Sequence, residues 1–229
     1  AGRTELLEAV AGRGELVEGR AVLEGKDMAG LTIAERIACG LSLVPEDRQR
    51  DGLVQTMSVG QNLSLASIGT FVRGLLTSPK IEQELVNESI KRVTVKTSGG
   101  AAAIGSLSGG NQQKVVIGKS LLTQPKLLLL DEPTRGIDIG AKAEVFKTMR
   151  QLAEQGLGVV FATSDLKEIM SAADRILVMS RGLVTGDFPR SEATERKLVA
   201  ASTMTEADLV TNHETARSSE EPLTPITEH

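Results

Sequence analysis

The chain has no tryptophan and no tyrosine, and only four phenylalanines in its 229 residues. Stacking platforms of the kind single-stranded nucleic-acid binders use would find few rings here. Both histidines, His213 and His229, lie in the polar C-terminal stretch, so the body of the chain offers no imidazole as acid, base or metal ligand. The single cysteine, Cys39, excludes an internal disulfide and suits a reducing compartment. No apolar run approaches the ~20 residues of a membrane span, and no secretory leader is recognisable, so the expectation is a soluble, cytoplasmic chain. Strong basicity is missing too. With 26 Lys and Arg against 30 Asp and Glu, the net charge is -4, which argues against an obligate nucleic-acid binder and gives no basic tract for anionic lipid.

What is present is a globular composition, 40% hydrophobic, that can supply a sizeable core. After Thr4 the apolar residues Leu6, Leu7 and Val10 fall at helical spacing, closed by Gly12 and Gly14. "RAVLEGKDM" predicts a strand and turn, "TIAERIACG" a helix capped by Thr32, and "LSLVPEDR" a strand ending at Pro45. From about Gly52 to Gly105 the pattern turns helical and less regular, which predicts an inserted helical subdomain, extending over about 52–122 once the helix that starts at Ser108 is included. Then the α/β alternation is plain. "KLLLLD" is an apolar strand, "AKAEVFKTMRQLAEQG" a helix, "GVVFATS" a strand, "DLKEIMSAA" a helix, and "DRILVMS" a strand paired with "LVTGDF". Apolar strands alternating with helices imply a parallel sheet covered on both faces. One body over 1–200 and a polar, disordered tail over 201–229 are expected.

Two stretches carry the chemistry. "LLLLDEPTRGID" places Asp131 at the carboxyl end of a buried strand with Glu132 beside it, where open α/β sheets build ligand sites. In a phosphate-loop nucleotidase such an Asp holds Mg2+, and a neighbouring Glu can polarise the attacking water. "LSGGNQQK" puts the Ser108 hydroxyl and two glycines at a helix start. Without Cβ atoms, Gly109 and Gly110 allow a phosphate to approach amides whose dipole favours an anion. Alone, the first is equally a strand ending in solvated acids and the second a capped flexible loop; in succession they are specific.

Together these segments resemble the signature and Walker B motifs of ATP-binding-cassette (ABC) ATPases. "LVPEDRQRDGL", "LSGGNQQK" and "DEPTRGIDIGAK" are similar to the second nucleotide-binding half of the double-cassette ATPase of bacterial ribose, xylose and galactose type importers. The likeness runs from Ala1 to about residue 200. It implies an α/β P-loop NTPase fold of ABC type, with ATP and Mg2+ as ligands. It also implies that "AGRTE" is the end of a phosphate loop, so that the chain starts inside that loop and the preceding strands are missing. The implied nucleotide set is Gly2, Arg3, Thr4, Glu46, Asp131, Asp138 and Ser164, with Thr4 and Asp131 on the metal and Glu132 catalytic. Ser108, Gly109, Gly110 and Gln112 are expected to close over ATP held by a partner cassette.

The pattern departs from that of a working site. Arg3 stands where a phosphate-loop Lys is usual, and its planar fork is not equivalent to an ammonium. Glu46 replaces a Gln, placing an anion toward an anionic ligand unless metal intervenes, and Ser164 replaces the switch His. These changes imply a half that donates its signature while hydrolysing poorly itself. The implied partners are the first cassette half, an integral-membrane sugar permease docked on the helical subdomain and, indirectly, an external sugar-binding protein, with the chain peripheral on the inner membrane face. A non-hydrolysing nucleotide-binding or structural remnant, and a soluble non-transport ABC ATPase, are the alternatives.

Overall fold

The computed structural model describes residues 2–15, 18–68, 72–73 and 76–205, with 72–73 and 76–77 described by their backbone alone. The chain divides into two compact units, Arg3–Ser164 and a second made of Ala1–Gly2 with Asp165–His229.

At the centre of the larger unit is a three-stranded parallel sheet, β3 (Leu41–Val44), β6 (Leu127–Asp131) and β7 (Gly158–Ala162), in the order β3-β6-β7. In β6 the period of two sorts the leucine run between two cores. Leu128 and Leu130 join Val44, Val115, Val116 and Val145 in the main core, whereas Leu129 joins Leu7, Ala11 and Leu41 on the other face. The second face is covered by α1 (Arg3–Ala11), whose buried Leu7 and Ala11 are one helical turn apart. The main core lies under α5 (Gly109–Leu121) and α6 (Ile139–Glu154). Burying a leucine fully, as at Leu128 and Leu130 (0% exposed), stabilises by roughly 1.5–3 kcal/mol, and a strand apolar on both faces can sit only in the middle of such a sandwich.

Between β3 and β6 lies the expected helical region. It contains α3 (Val59–Ser64), α4 (Pro79–Arg92) and then α5. A short antiparallel pair, β4 (Val72–Arg73) and β5 (Leu76–Thr77), interrupts it and was not legible in the sequence. Before β3 come the pair β1 (Val22–Leu23) and β2 (Lys26–Asp27) and the short helix α2 (Ile33–Ala38). Thr32 closes a full capping box with Glu35 at the start of α2, as Ser58 does with Gln61 at the start of α3.

The smaller unit holds α7 (Leu166–Ala172), the antiparallel strands β8 (Arg175–Ser180) and β9 (Leu183–Pro189), and α8 (Glu195–Thr203) around Ile176, Ala193 and Leu198. Arg181 (φ 50°) and Gly182 (φ 87°) turn the hairpin as the sequence suggested, both in the left-handed region that two-residue hairpin loops need. Helix α8 runs to Thr203, past the start of the expected tail; residues 206–229 lie outside the described residues.

Candidate functional site

Parallel pairing brings the carboxyl ends of three strands to one edge. Val44 is in register with Leu130, and Asp131 with Ala162. Glu46 two residues past β3, Asp131 and Glu132 at the end of β6, and Thr163 and Ser164 just past β7 therefore come side by side. Asp131 is 3% exposed and Ser164 is exposed. Thr4, Glu8, Glu46, Asp131 and Arg135 line a cavity of about 350 Å³ at this edge. The Thr4 hydroxyl and the Asp131 carboxylate are the hard oxygen donors that Mg2+ takes.

Arg3 opens α1, and its guanidinium reaches across the strand ends. One amino group donates to the Thr163 carbonyl at 2.9 Å; the other donates to Glu132 Oε1 at 3.2 Å. Glu132 itself holds a φ of 42°, left-handed for a non-glycine residue, which costs about 1–2 kcal/mol. Its amide donates to the Ala162 carbonyl at 2.8 Å, so the turn is tied to the neighbouring strand end. The water-polarising carboxylate expected at this position is thus already held by a cation. Gly2, assigned to the same phosphate loop, groups with the smaller unit, where a Cβ on it would meet the Gly182 Cα at 2.9 Å.

The Glu46 carboxylate pairs with the Arg135 guanidinium, a partner the sequence reading did not include. Next to it, Arg48 donates to the carbonyls of Arg135 at 2.7 Å and Gly136 at 3.3 Å, while its Nε is buried without a partner. Burial pulls the Arg48 guanidinium below the usual arginine range. Asp47 caps the single wide turn Arg48–Gly52 by accepting from the amides of Gln49 and Arg50. Sequence reading missed Arg135 and Arg48, whose partners lie 89 and 87 residues away and leave no local periodicity. Asp138 has a simpler part, accepting from the Ala141 amide at 2.9 Å as the cap of α6.

The start of α5 also differs from expectation. Ser108 occupies the N-cap position but its hydroxyl does not cap the helix; it accepts instead from Asn111 Nδ2 at 3.0 Å. Gln112 is turned inward, 6% exposed, and donates to the Ile104 carbonyl at 3.3 Å, so it does not stand on the outer face with Ser108. Ser108 has extended backbone (φ -62°, ψ 157°) and lies outside the helical phase on which Gln112 sits. Gly110 is buried, and a Cβ there would come within 2.5 Å of the Ala141 Cβ on α6. A Cβ on Gly109 would lie 2.8 Å from Arg48 Nη2. Part of the Gly-Gly signal is therefore close packing within the chain.

Below this turn α5 is fastened to α6 by charge. Lys114, 2% exposed, reaches Glu144 Oε2 at 2.6 Å and the Thr94 carbonyl at 3.2 Å, while Lys96 reaches Glu144 Oε1 at 2.7 Å. Hydrogen bonds first from Lys114 and then from Lys96 hold the Glu144 carboxyl down at about 2, well below the ordinary 4.5.

Comparison with known proteins decides the family. The model described as "ABC transporter" matches residues 1–135. This chain belongs to the ABC transporter family. Among curated relatives of this ABC chain, it is 45% identical over 203 residues to ribose import ATP-binding protein RbsA 2 of Streptomyces avermitilis. It is 42% identical over 209 residues to xylose import ATP-binding protein XylG of Escherichia coli strain UTI89. The matches cover 89% and 90% of this chain but 40% of each relative, so it spans about two-fifths of their length. Its fold is similar to the dimeric post-hydrolysis cassette MJ0796 bound to ADP and Pi (TM-score 0.70, 21% identity, 82% of this chain and 81% of that one). The cassette MJ1267 is similar as well (TM-score 0.73, 22% identity, 87% and 83%). The ABC ATPase fold read from the two motifs is the fold observed. Among the described residues no helix is long and apolar enough to cross a membrane.

Proposed function

We propose that this chain is the second cassette of a double-cassette ATPase that powers carbohydrate import, that its own ATP site is degenerate, and that its main contribution is to lend its signature to the ATP held by the first cassette. The observation that carries the reading is the Arg3–Glu132 contact at 3.2 Å. The residue at the phosphate-loop cation position is spent on the carboxylate that would polarise water, so this site lacks both a free phosphate-binding cation and a free base. The sugar-import role rests on the likeness to ribose and xylose import ATP-binding proteins.

In this reading ATP and Mg2+ still bind at the strand ends, with Thr4 and Asp131 on the metal. Bound Mg2+ would supply charge neutralisation for the phosphates. Arg3 and Arg135 hold Glu132 and Glu46 away from the phosphate oxygens, and Asp138 fixes the start of α6 near the loop that crosses to the partner. Ser108 and the first amides of α5 are presented outward to the other cassette's γ-phosphate. The first cassette, the permease that the helical region docks on, and a sugar-binding protein outside the membrane are the partners, and the chain sits peripherally on the inner membrane face.

The test is ATP turnover by the assembled full-length double-cassette protein with its permease. Ser108→Arg is expected to lower kcat by about 10²-fold or more, the scale of losing a preorganised donor to a developing charge. Glu132→Gln is expected to leave it within about twofold. Loss of turnover in Glu132→Gln with Ser108→Arg tolerated would overturn the reading. Indifference to both would favour the structural-remnant alternative.

A further inference from the structure

Three helices of the larger unit begin with a hydroxyl residue followed three positions later by a polar side chain. Two of these starts are closed. Thr32 accepts from the Glu35 amide while Glu35 accepts from the Thr32 amide, and Ser58 and Gln61 do the same. The third, Ser108 with Asn111, is built the other way. Asn111 Oδ1 accepts from the Lys96 amide at 2.8 Å, and its Nδ2 donates to Ser108 Oγ at 3.0 Å.

The backbone donor at Lys96 settles which way round the Asn111 amide lies. Because Lys96 N–H can only donate, the atom facing it is the oxygen, and the atom facing Ser108 is the NH2 group. Ser108 Oγ therefore receives a hydrogen bond from Asn111, and its own proton is free to point elsewhere. In the two closed boxes the hydroxyl oxygen accepts from one amide of the first turn, that of Glu35 or Gln61. At α5 it does not, so both the hydroxyl proton and the first-turn amides stay available in one place.

We infer that Asn111 is a positioning residue: it orients the Ser108 hydroxyl as a donor toward the γ-phosphate on the partner cassette. The inference rests on the signature-donating reading above and adds the device that makes the donor a donor. Lys96, whose amide fixes the Asn111 side chain, is tied by its ammonium to Glu144 at 2.7 Å, and the same carboxylate holds Lys114 of α5. The orientation is thus anchored to two helices and not only to its own turn.

Asn111→Asp keeps the size and the acceptor for Lys96 but turns the group facing Ser108 into an acceptor, so the hydroxyl proton is drawn inward. In the assembled full-length ATPase it is expected to lower kcat at least tenfold with KM within about twofold, because the donor acts in the closed state. Asn111→Ala removes the bond without reversing it and is expected to cost less than Asn111→Asp; a purely structural role predicts the opposite order. In a Ser108→Ala background Asn111→Asp is expected to add less than about twofold. Equal losses in both backgrounds would mean that the added charge alone acts, and would overturn the inference while leaving the signature reading intact. Full activity of Ser108→Ala would remove the signature reading and this inference with it. Thermal unfolding of each variant separates failure to fold from failure to orient: a loss of kcat confined to variants with lowered midpoints also contradicts the proposal.

Discussion

At the strand ends Glu132 and Glu46 already hold guanidinium partners, Arg3 and Arg135. Elsewhere in the same unit, the start of α5 presents Ser108 with its proton unclaimed by the helix, and the charges there, Lys96, Glu144 and Lys114, are spent below the turn on holding it in place. The same kind of interaction, cation to carboxylate, thus occupies the candidate site's carboxylates in one region and supports a helix start from behind in the other. An ion pair that holds a catalytic group competes with ligand; one that holds the scaffold does not.

The largest expected effect in stability comes from the packed side of α5. Gly110→Ala puts a methyl 2.5 Å from the Ala141 Cβ and is expected to lower unfolding free energy by about 1–3 kcal/mol, although Ala is the better helix former. Gly105→Ala, where a Cβ meets nothing within 4 Å, is expected to stay within about 0.5 kcal/mol. Urea unfolding of both variants checks the pair; equal effects would mean that the Gly-Gly signal is not packing.

Next comes the scaffold charge. Glu144 titrates at about 2 in the folded chain against an ordinary 4.5, so its pairing with Lys114 and Lys96 stabilises fully above pH 4.5 and is lost as pH falls from there toward 2. Glu144→Gln is expected to be less stable than wild type at pH 7 and to converge on it near pH 2, since the variant leaves the buried Lys114 without its carboxylate at every pH. Parallel stability curves across that window would contradict this.

The smallest effect is expected at the strand ends. Arg3 is 35% exposed, and the pair it makes is screened by water, so Arg3→Met is expected to cost less than about 1 kcal/mol in unfolding. A larger loss would make Arg3 a structural residue and weaken its reading as an occupant of the site.

The two regions were also unequally legible in the sequence. Strand β6, its terminal Asp131, the helix starts and the hairpin turn at Arg181–Gly182 follow from short-range rules, because apolar runs, caps and turn residues act within a few positions. Asp131, Glu132 and Ser164 lie at one edge because the parallel register sets the carboxyl ends of β6 and β7 side by side. Arg135, Arg48 and the Lys114–Glu144 pair were not legible, since their partners are brought close only by the fold. Gln112 was expected beside Ser108 on the resemblance alone; in the fold its side chain turns inward to the Ile104 carbonyl, and Asn111 is the residue that meets Ser108. Gly110 was read as room for a ligand, but it also makes room for a neighbouring helix, and composition cannot separate the two.

The most direct test of the central claim is to trap the assembled double-cassette ATPase with vanadate after turnover of a photoreactive ATP, then count and locate the retained ADP. The account predicts one ADP per protein, attached to the first cassette and absent from Ser108→Arg. Two ADP per protein, or one attached to this chain and lost in Glu132→Gln, would contradict it.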